Sequence, residues 1–264
     1  MAYLSLTTRD LNVLEKIKDP ESDPSRGVLI DKSLPKDPHI TDPAVYDNVA
    51  ATERQIVLGM QQLELQLAGL RPIPDKNPIE AYKHCIVQLT DLIEANPTYA
   101  SARNNRAQAS RRLYGDNMLL ADVSHSLKPL IREASREERI TAAARTLADL
   151  DTAVSLLAPQ TPFSALSSQA AKTLSLAFTQ RAAIYHTTSK LLDHNALDID
   201  GDRREATWTK LGFEEAASRD FAMGGRYGND VAKGLAVSTN PTAKLCGQIV
   251  REAMKKEYGP GLAL

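Results

Sequence analysis

The segment Ala102-Arg103-Asn104-Asn105-Arg106-Ala107-Gln108-Ala109-Ser110-Arg111-Arg112-Leu113-Tyr114-Gly115-Asp116 reads as one helix ended by a Gly-Asp turn, with a second helix expected near Asp122 to Leu130. Two other parts of the chain look like it. One pairs a helix around Leu58-Gly59 with a helix that carries Ala81 and ends at Asn96-Pro97. The other pairs Phe178-Thr179-Gln180-Arg181-Ala182-Ala183-Ile184-Tyr185 with Glu215-Ala216-Ala217-Ser218-Arg219-Asp220-Phe221. Self-similar helix pairs point to a repeat architecture, because one pair cannot bury its apolar face alone.

The flanking patterns are helical too. Ile56, Met60, Leu63, Leu67 and Leu70 recur at steps of three and four, as do Ile79, Tyr82, Ile86, Leu89 and Ile93. Ile140, Ala143, Leu147, Leu150, Val154 and Leu157 mark a long helix, read as an insertion between the second and third pairs. Gly69 with Pro72 and Pro74, Asn96-Pro97, Gly115-Asp116 and Pro159 through Pro162 supply the breaks. No window alternates with the period of a strand. Up to about residue 48, Pro20, Pro24, Pro35, Pro38 and Pro43 alternate with aspartates and exclude regular structure. A short helix from Thr8 to Ile17, with Leu11, Leu14 and Ile17 on one stripe, is expected before them.

With 264 residues, 42% of them hydrophobic, the chain can bury a substantial core. Its 32 Lys and Arg against 33 Asp and Glu give a formal charge of -1 and no global field for a polyanion, so no nucleic-acid partner is expected. The uncharged run Thr152 to Ala171 contains Pro159 and Pro162 and does not read as a bilayer span, so no membrane partner is expected. Nothing in the first ten residues reads as a secretory signal. Cys85 and Cys246 fit buried thiols in a reducing compartment. These readings predict a soluble, cytoplasmic protein, with a nuclear location left open.

The three segments resemble tetratricopeptide repeats, in which a small residue midway along helix A lets helix B pack close and a Gly-Asp turn joins them. Asn105-Arg106-Ala107 and Gly115-Asp116 match that motif best. The spacings depart from it: 48 residues from Gly59 to Ala107 and 75 from Ala107 to Ala182, against a period of about 34. Asn104 to Ala109 with Arg111-Arg112, then Gln180-Arg181, Arg219-Asp220-Phe221, Asn240-Pro241 and Leu245-Cys246 resemble the tetratricopeptide repeat protein 36 family. Val13-Leu14, Ile17 and Asp19-Pro20 look like that family's opening segment. The resemblance covers most of the chain apart from residues 134–172 and 186–204, and it implies a non-enzymatic helical scaffold that associates with heat-shock chaperones and other proteins.

The expected architecture is all-α: a tetratricopeptide-like helical-hairpin solenoid behind an arm of residues 1–48. Its units span about 50–98, 99–134 and 167–223 of a domain covering 49–264, with the inserted helix at about 136–158 and a cap at about 226–258. The cap helix, Thr242 to Glu257, would present Leu245, Ile249, Ala253 and Met254 to the last unit.

In such a solenoid the A helices line a concave face that contacts a protein segment. Ser101, Asn104, Asn105, Gln108, Arg111 and Arg112, with Gln180 on the next A helix, are the candidate partner-binding residues. Asn grips a backbone with one donor and one acceptor, and arginines favour a carboxylate. The alternative for the arginines is a solvated face with interhelix partners. The carboxylate clamp by which some of these repeats hold a chaperone's acidic tail is not matched. Alignment gives Ile56, Met60, Asn105, Leu176 and Gln180, of which Asn105 alone fits. Three apolar residues would leave a terminal carboxylate unpaired. A chaperone would therefore bind by another route, and Ile56, Met60 and Leu176 would build an apolar groove for a peptide or for the arm.

Catalytic and metal readings are weak, and no cofactor is expected. The histidines 39, 84, 125, 186 and 194 show no paired ligand spacing. Gly224-Gly225-Arg226-Tyr227-Gly228 lacks the strand that precedes a phosphate cradle and reads as a helix terminator. Asp198-Ile199-Asp200-Gly201 fits part of a calcium loop, but Ala196 and Thr207 stand at the first and twelfth positions, so a turn is expected. Trp208, Phe213 and Phe221 are expected in the core. The leading function is thus a protein-interaction adaptor. Its alternatives are a helical protein binding a small apolar ligand, an enzyme whose site is not visible in sequence, or an oligomeric scaffold that exposes the Ala143 to Leu157 helix.

Overall fold

The computed structural model describes residues 28–72, 77–121, 129–161 and 164–258. Its described residues form eight α-helices: α1 (Pro43–Leu67), α2 (Pro78–Ala95), α3 (Ala100–Tyr114), α4 (Arg136–Leu157), α5 (Ser168–Leu191), α6 (Lys210–Arg226), α7 (Asp230–Thr239) and α8 (Pro241–Tyr258), with a 3-10 turn at Arg204–Thr207. No strand is present among them, and residues 30 and 166, 37 and 40, and 120 and 197 form isolated bridges. The short helix expected from Thr8 to Ile17 lies outside the described residues. So does most of the helix expected near Asp122 to Leu130, of which Pro129 and Leu130 are not helical.

Local chemistry fixes the helix starts. Asp42 accepts the Ala44 amide at 2.8 Å ahead of Pro43, whose ring suits the first helical position. Asn77 with Pro78 repeats that arrangement. Ser135 accepts the Glu138 amide at 3.1 Å, and Ser167, Thr209 and Asn229 cap α4's successors in the same way. Gly115 ends α3 at a φ of 80°, a conformation that favours glycine. The segment Gly224 to Gly228 ends α6 and turns into α7 as expected, with Gly228 at a φ of 105° and Gly224 and Gly225 in the last turn of α6. A Cβ on Gly225 would stand 2.7 Å from the Lys233 Cα, so the missing side chains let α7 close onto α6.

Each helix packs on its successor, and α1–α3, α3–α5 and α6–α8 also touch. Two cores result. Ile56, Met60, Tyr82, Leu89, Tyr99 and Leu113 join α1, α2 and α3. Leu147, Leu150, Leu174, Phe178, Tyr185 and Phe213 join α4, α5 and α6. Ala107 is fully buried in the second core, and α4 packs against both α3 and α5. The Ala143 to Leu157 face is therefore interior rather than an exposed patch. Phe213 and Phe221 are buried, and Trp208 packs edge-on to Tyr185 and Phe213, each at 5.3 Å.

Charged pairs cross these helix contacts. Arg106 on α3 grips Asp149 on α4 through Nε and Nη2, both at 2.7 Å, and donates to Thr90 on α2. Arg181 on α5 grips Asp220 on α6 at 2.7 and 2.9 Å and reaches Asp151 on α4 at 2.7 Å. Each arginine immediately precedes a fully buried alanine, Ala107 or Ala182. The segment before α6 is tied down by Glu205, which is fully buried and accepts the Tyr185 hydroxyl at 2.6 Å and Arg203 Nε at 3.0 Å. Asp198 accepts Arg136 and Arg139, and Asp200 closes a turn on the Asp202 amide, so the partial calcium pattern is an anchored turn.

The cap differs from expectation. α7 covers the end of α6, with Ala232 buried against Ala182 and Phe221. Pro241 starts a separate helix, and the α8 residues Leu245, Ile249, Ala253 and Met254 are exposed rather than packed on the last pair. The shorter α7 takes the contact that the sequence assigns to α8.

Burial alone would raise the Glu205 pKa, but bonds from Arg203 and Tyr185 bring it down to about 2 from 4.5. A lowered folded pKa gives stability that is complete above about pH 4.5 and is lost as pH falls towards 2. Unfolding of Glu205→Gln at stepped pH is expected to show a shallower acid limb across that window than wild type. An unchanged slope would mean that Glu205 is not bonded as described.

Candidate functional site

Helices α1, α3 and α5 border an open groove made of two adjoining cavities of about 1010 and 760 Å3. Both are lined by Val57, Asn105, Lys172 and Leu176. On α1 the residues Glu53, Val57, Met60 and Glu64 follow one another at steps of four, three and four, so they share a stripe that faces the groove.

The carboxylates on that stripe organise the wall. Glu53, 7% exposed, accepts the Tyr99 hydroxyl at 2.6 Å and Asn105 Nδ2 at 2.7 Å. Glu64 accepts Arg112 Nε at 2.6 Å and the Tyr82 hydroxyl. Desolvation pushes the Glu64 pKa up, and the Arg112 and Tyr82 bonds outweigh it, holding the group below the usual carboxylate range. Desolvation and the neighbouring carboxylates drive the Tyr82 and Tyr99 phenols upward, so both stay protonated donors.

The residues singled out in the sequence take different places. Asn105, Gln108, Arg111 and Arg112 line the groove, and Ser101 lines its second cavity. Arg111 forks onto Asp116 at 2.7 and 2.9 Å and donates to Gln180 at 3.2 Å. Asn104 lines the second cavity but is only 2% exposed, and Gln180, 7% exposed, is on the lining of neither cavity. Gln180 Nε2 donates to Asn104 Oδ1 at 2.7 Å, a buried crosslink between α3 and α5 with little left for a partner. Ile56 is likewise buried against α2 and α3 rather than in the groove, whereas Leu176 is 39% exposed in it. Glu53, Glu64, Asp116, Lys172 and Arg54 escaped the reading; the α1 stripe of two glutamates eleven residues apart was the available signal.

The arrangement offers an apolar floor between hydrogen-bonded polar walls, suited to holding a chain segment. Among the described residues no group of three or more His, Cys, Asp or Glu could hold a metal ion, and no helix is long and apolar enough to cross a membrane.

An all-α protein with an open, polar-walled groove is the class these features define. The chain belongs to the family of the L-tyrosine degradation gene cluster protein hmgX of Aspergillus fumigatus, with which it is 36% identical over 259 residues, 96% of this chain and 93% of that protein. No family model matches it, and no solved structure does.

Asn105→Ala is expected to leave Glu53 with one donor and to cost about 1–3 kcal/mol in urea unfolding. Gln108→Ala, at an exposed position with no side-chain bond among the described residues, should stay within ~0.5 kcal/mol of wild type. Equal effects would contradict the division between wall framework and free surface.

Proposed function

We propose that this chain is a non-enzymatic protein-interaction adaptor of the tetratricopeptide repeat 36 type that serves L-tyrosine degradation and binds a protein segment in the α1–α3–α5 groove. The helix-pair reading is supported by α1/α2, α3/α4 and α5/α6 as successive pairs, with α1–α3 and α3–α5 contacts between first helices. It is supported further by the two equivalent Arg-Asp pairs, each from the residue before the small alanine of a first helix to its second helix. On this reading α4 is the second helix of the middle pair rather than an insertion, and the extra length lies between α3 and α4.

The groove itself is the observation that carries the function. Its wall groups are already bonded to one another, so they present a fixed surface that needs little reordering on binding. The metabolic setting comes from the relative's association with an L-tyrosine degradation cluster. A small apolar ligand suits the groove poorly, because such sites enclose most of their ligand and this one is open and flanked by charge. A heat-shock chaperone is an admissible partner only outside the carboxylate clamp, whose positions carry Ile56, Met60, Leu176 and Gln180.

Complementation tests this reading. Loss of the gene should slow growth on L-tyrosine as sole nitrogen source. Wild type should restore growth and Leu176→Asp should not, with its helicity and melting retained because Leu176 is exposed. Full rescue by Leu176→Asp would contradict groove-based function, and undiminished growth of the deletion strain would contradict the tyrosine assignment.

A further inference from the structure

The groove's charges are unequally used. Lys36 pairs with Asp47 at 2.9 Å, Arg111 with Asp116 at 2.7 Å and Arg112 with Glu64 at 2.6 Å. Glu53 is buried and saturated by the neutral donors Tyr99 and Asn105. Arg54 on α1 and Lys172 on α5 line the same cavity and have no carboxylate partner among the described residues. Both are exposed. Five cationic side chains therefore face four carboxylates along the two cavities, and the surplus sits where the walls are accessible.

Beside these two cations the lining is mixed, with Gln55, Ser101, Asn105 and Gln169 between apolar contacts. Val57 and Leu176 line both cavities, and Met60 extends the first. An occupant complementary to this surface has apolar side chains for Val57, Met60 and Leu176 and a carboxylate for Arg54 and Lys172. A polyanion suits it badly, since the other cations are already neutralised and Val57 and Leu176 interrupt the charge. A basic segment would meet unpaired like charge.

We propose that the groove selects a protein segment in which Asp or Glu adjoins apolar side chains, the carboxylate being read by Arg54 and Lys172. The proposal rests on the reading of the groove as a segment-binding site and names the chemistry of that segment. It differs from a terminal-carboxylate clamp, because the two cations lie on α1 and α5 outside the clamp positions and an internal Asp or Glu satisfies them.

The test is selection of a random dodecamer library displayed on phage against the full chain, in parallel with Arg54→Glu/Lys172→Glu and with Leu176→Asp. Enriched peptides are then measured by fluorescence anisotropy at low and high salt. Wild type is expected to enrich Asp or Glu beside apolar residues, with binding that weakens as salt rises. The double reversal should weaken those peptides at least about tenfold, as for two exposed pairs near 1 kcal/mol each, and enrich Lys or Arg instead. Leu176→Asp should weaken both kinds. Peptides that need Leu176 but show no acidic preference and no switch would overturn this proposal while leaving the segment-binding reading intact. Peptides indifferent to Leu176, or none at all, would overturn both. A photo-reactive side chain at position 176 that crosslinks to residues 1–27 of the same chain would assign the groove to the arm and overturn the proposal as well.

Discussion

Two guanidinium-carboxylate pairs, Arg106 with Asp149 and Arg181 with Asp220, set how α3 meets α4 and how α5 meets α6. Both are bidentate, with every donor distance between 2.7 and 2.9 Å. Their members are 2 to 9% exposed, so an arginine or aspartate left alone there would be a buried, uncompensated charge. Satisfied, the fork admits one rotation of each helix against its partner, a constraint that apolar contacts alone do not impose. The alanine after each arginine removes bulk where the helices approach. Arg181 extends the scheme by also reaching Asp151, which Arg203 and Arg204 share, so the last pair is tied to α4 and to the segment before α6.

The groove follows from that constraint. Once α3 and α5 are fixed on α4 and α6, their opposite faces lie side by side, joined by the buried Gln180–Asn104 crosslink. Glu53 and Glu64 then bind α1 to α3 through Asn105 and Arg112. Several polar groups that look like ligand contacts are thus framework, and Val57 and Leu176 remain accessible among Arg54, Lys172, Gln55, Gln61 and Gln108. A surface whose polar groups are bonded before binding loses little entropy when a partner arrives.

Helices α1 to α6 were legible because their stripes, caps and breaks are local signals: Ile56 to Leu67 and Ile140 to Leu157 lie on α1 and α4 where their periodicity puts them, while Leu70 falls beyond the end of α1 and is exposed. The partners of the buried arginines and the exposure of α8 were not. Asp149 stands 43 residues beyond Arg106 and Asp220 39 beyond Arg181, and sequence distance does not reveal which helix an arginine will meet. An Asp followed by a large apolar residue, Asp149-Leu150 and Asp220-Phe221, is the feature the two partner helices share. On the groove, Asn105, Gln108, Arg111 and Arg112 were placed correctly on its lining from helical spacing. Asn104 was not separable from Asn105, because neighbours on a helix differ by about 100° and the burying face depends on α5. The apolar stripe of α8 predicts a buried face, yet α7 occupies the contact.

The equivalence of these two pairs, with Arg106–Asp149 joining α3 to α4 as Arg181–Asp220 joins α5 to α6, is central to the fold. Double-mutant cycles test it directly, with Arg106→Met and Asp149→Leu singly and together, and Arg181→Met and Asp220→Leu in the same way, measured by urea unfolding. Each single change should cost about 3–5 kcal/mol, and each double change should cost less than the sum of its singles by more than ~2 kcal/mol, at both sites alike. Additive costs at either site would contradict the claim that the pair holds those helices together.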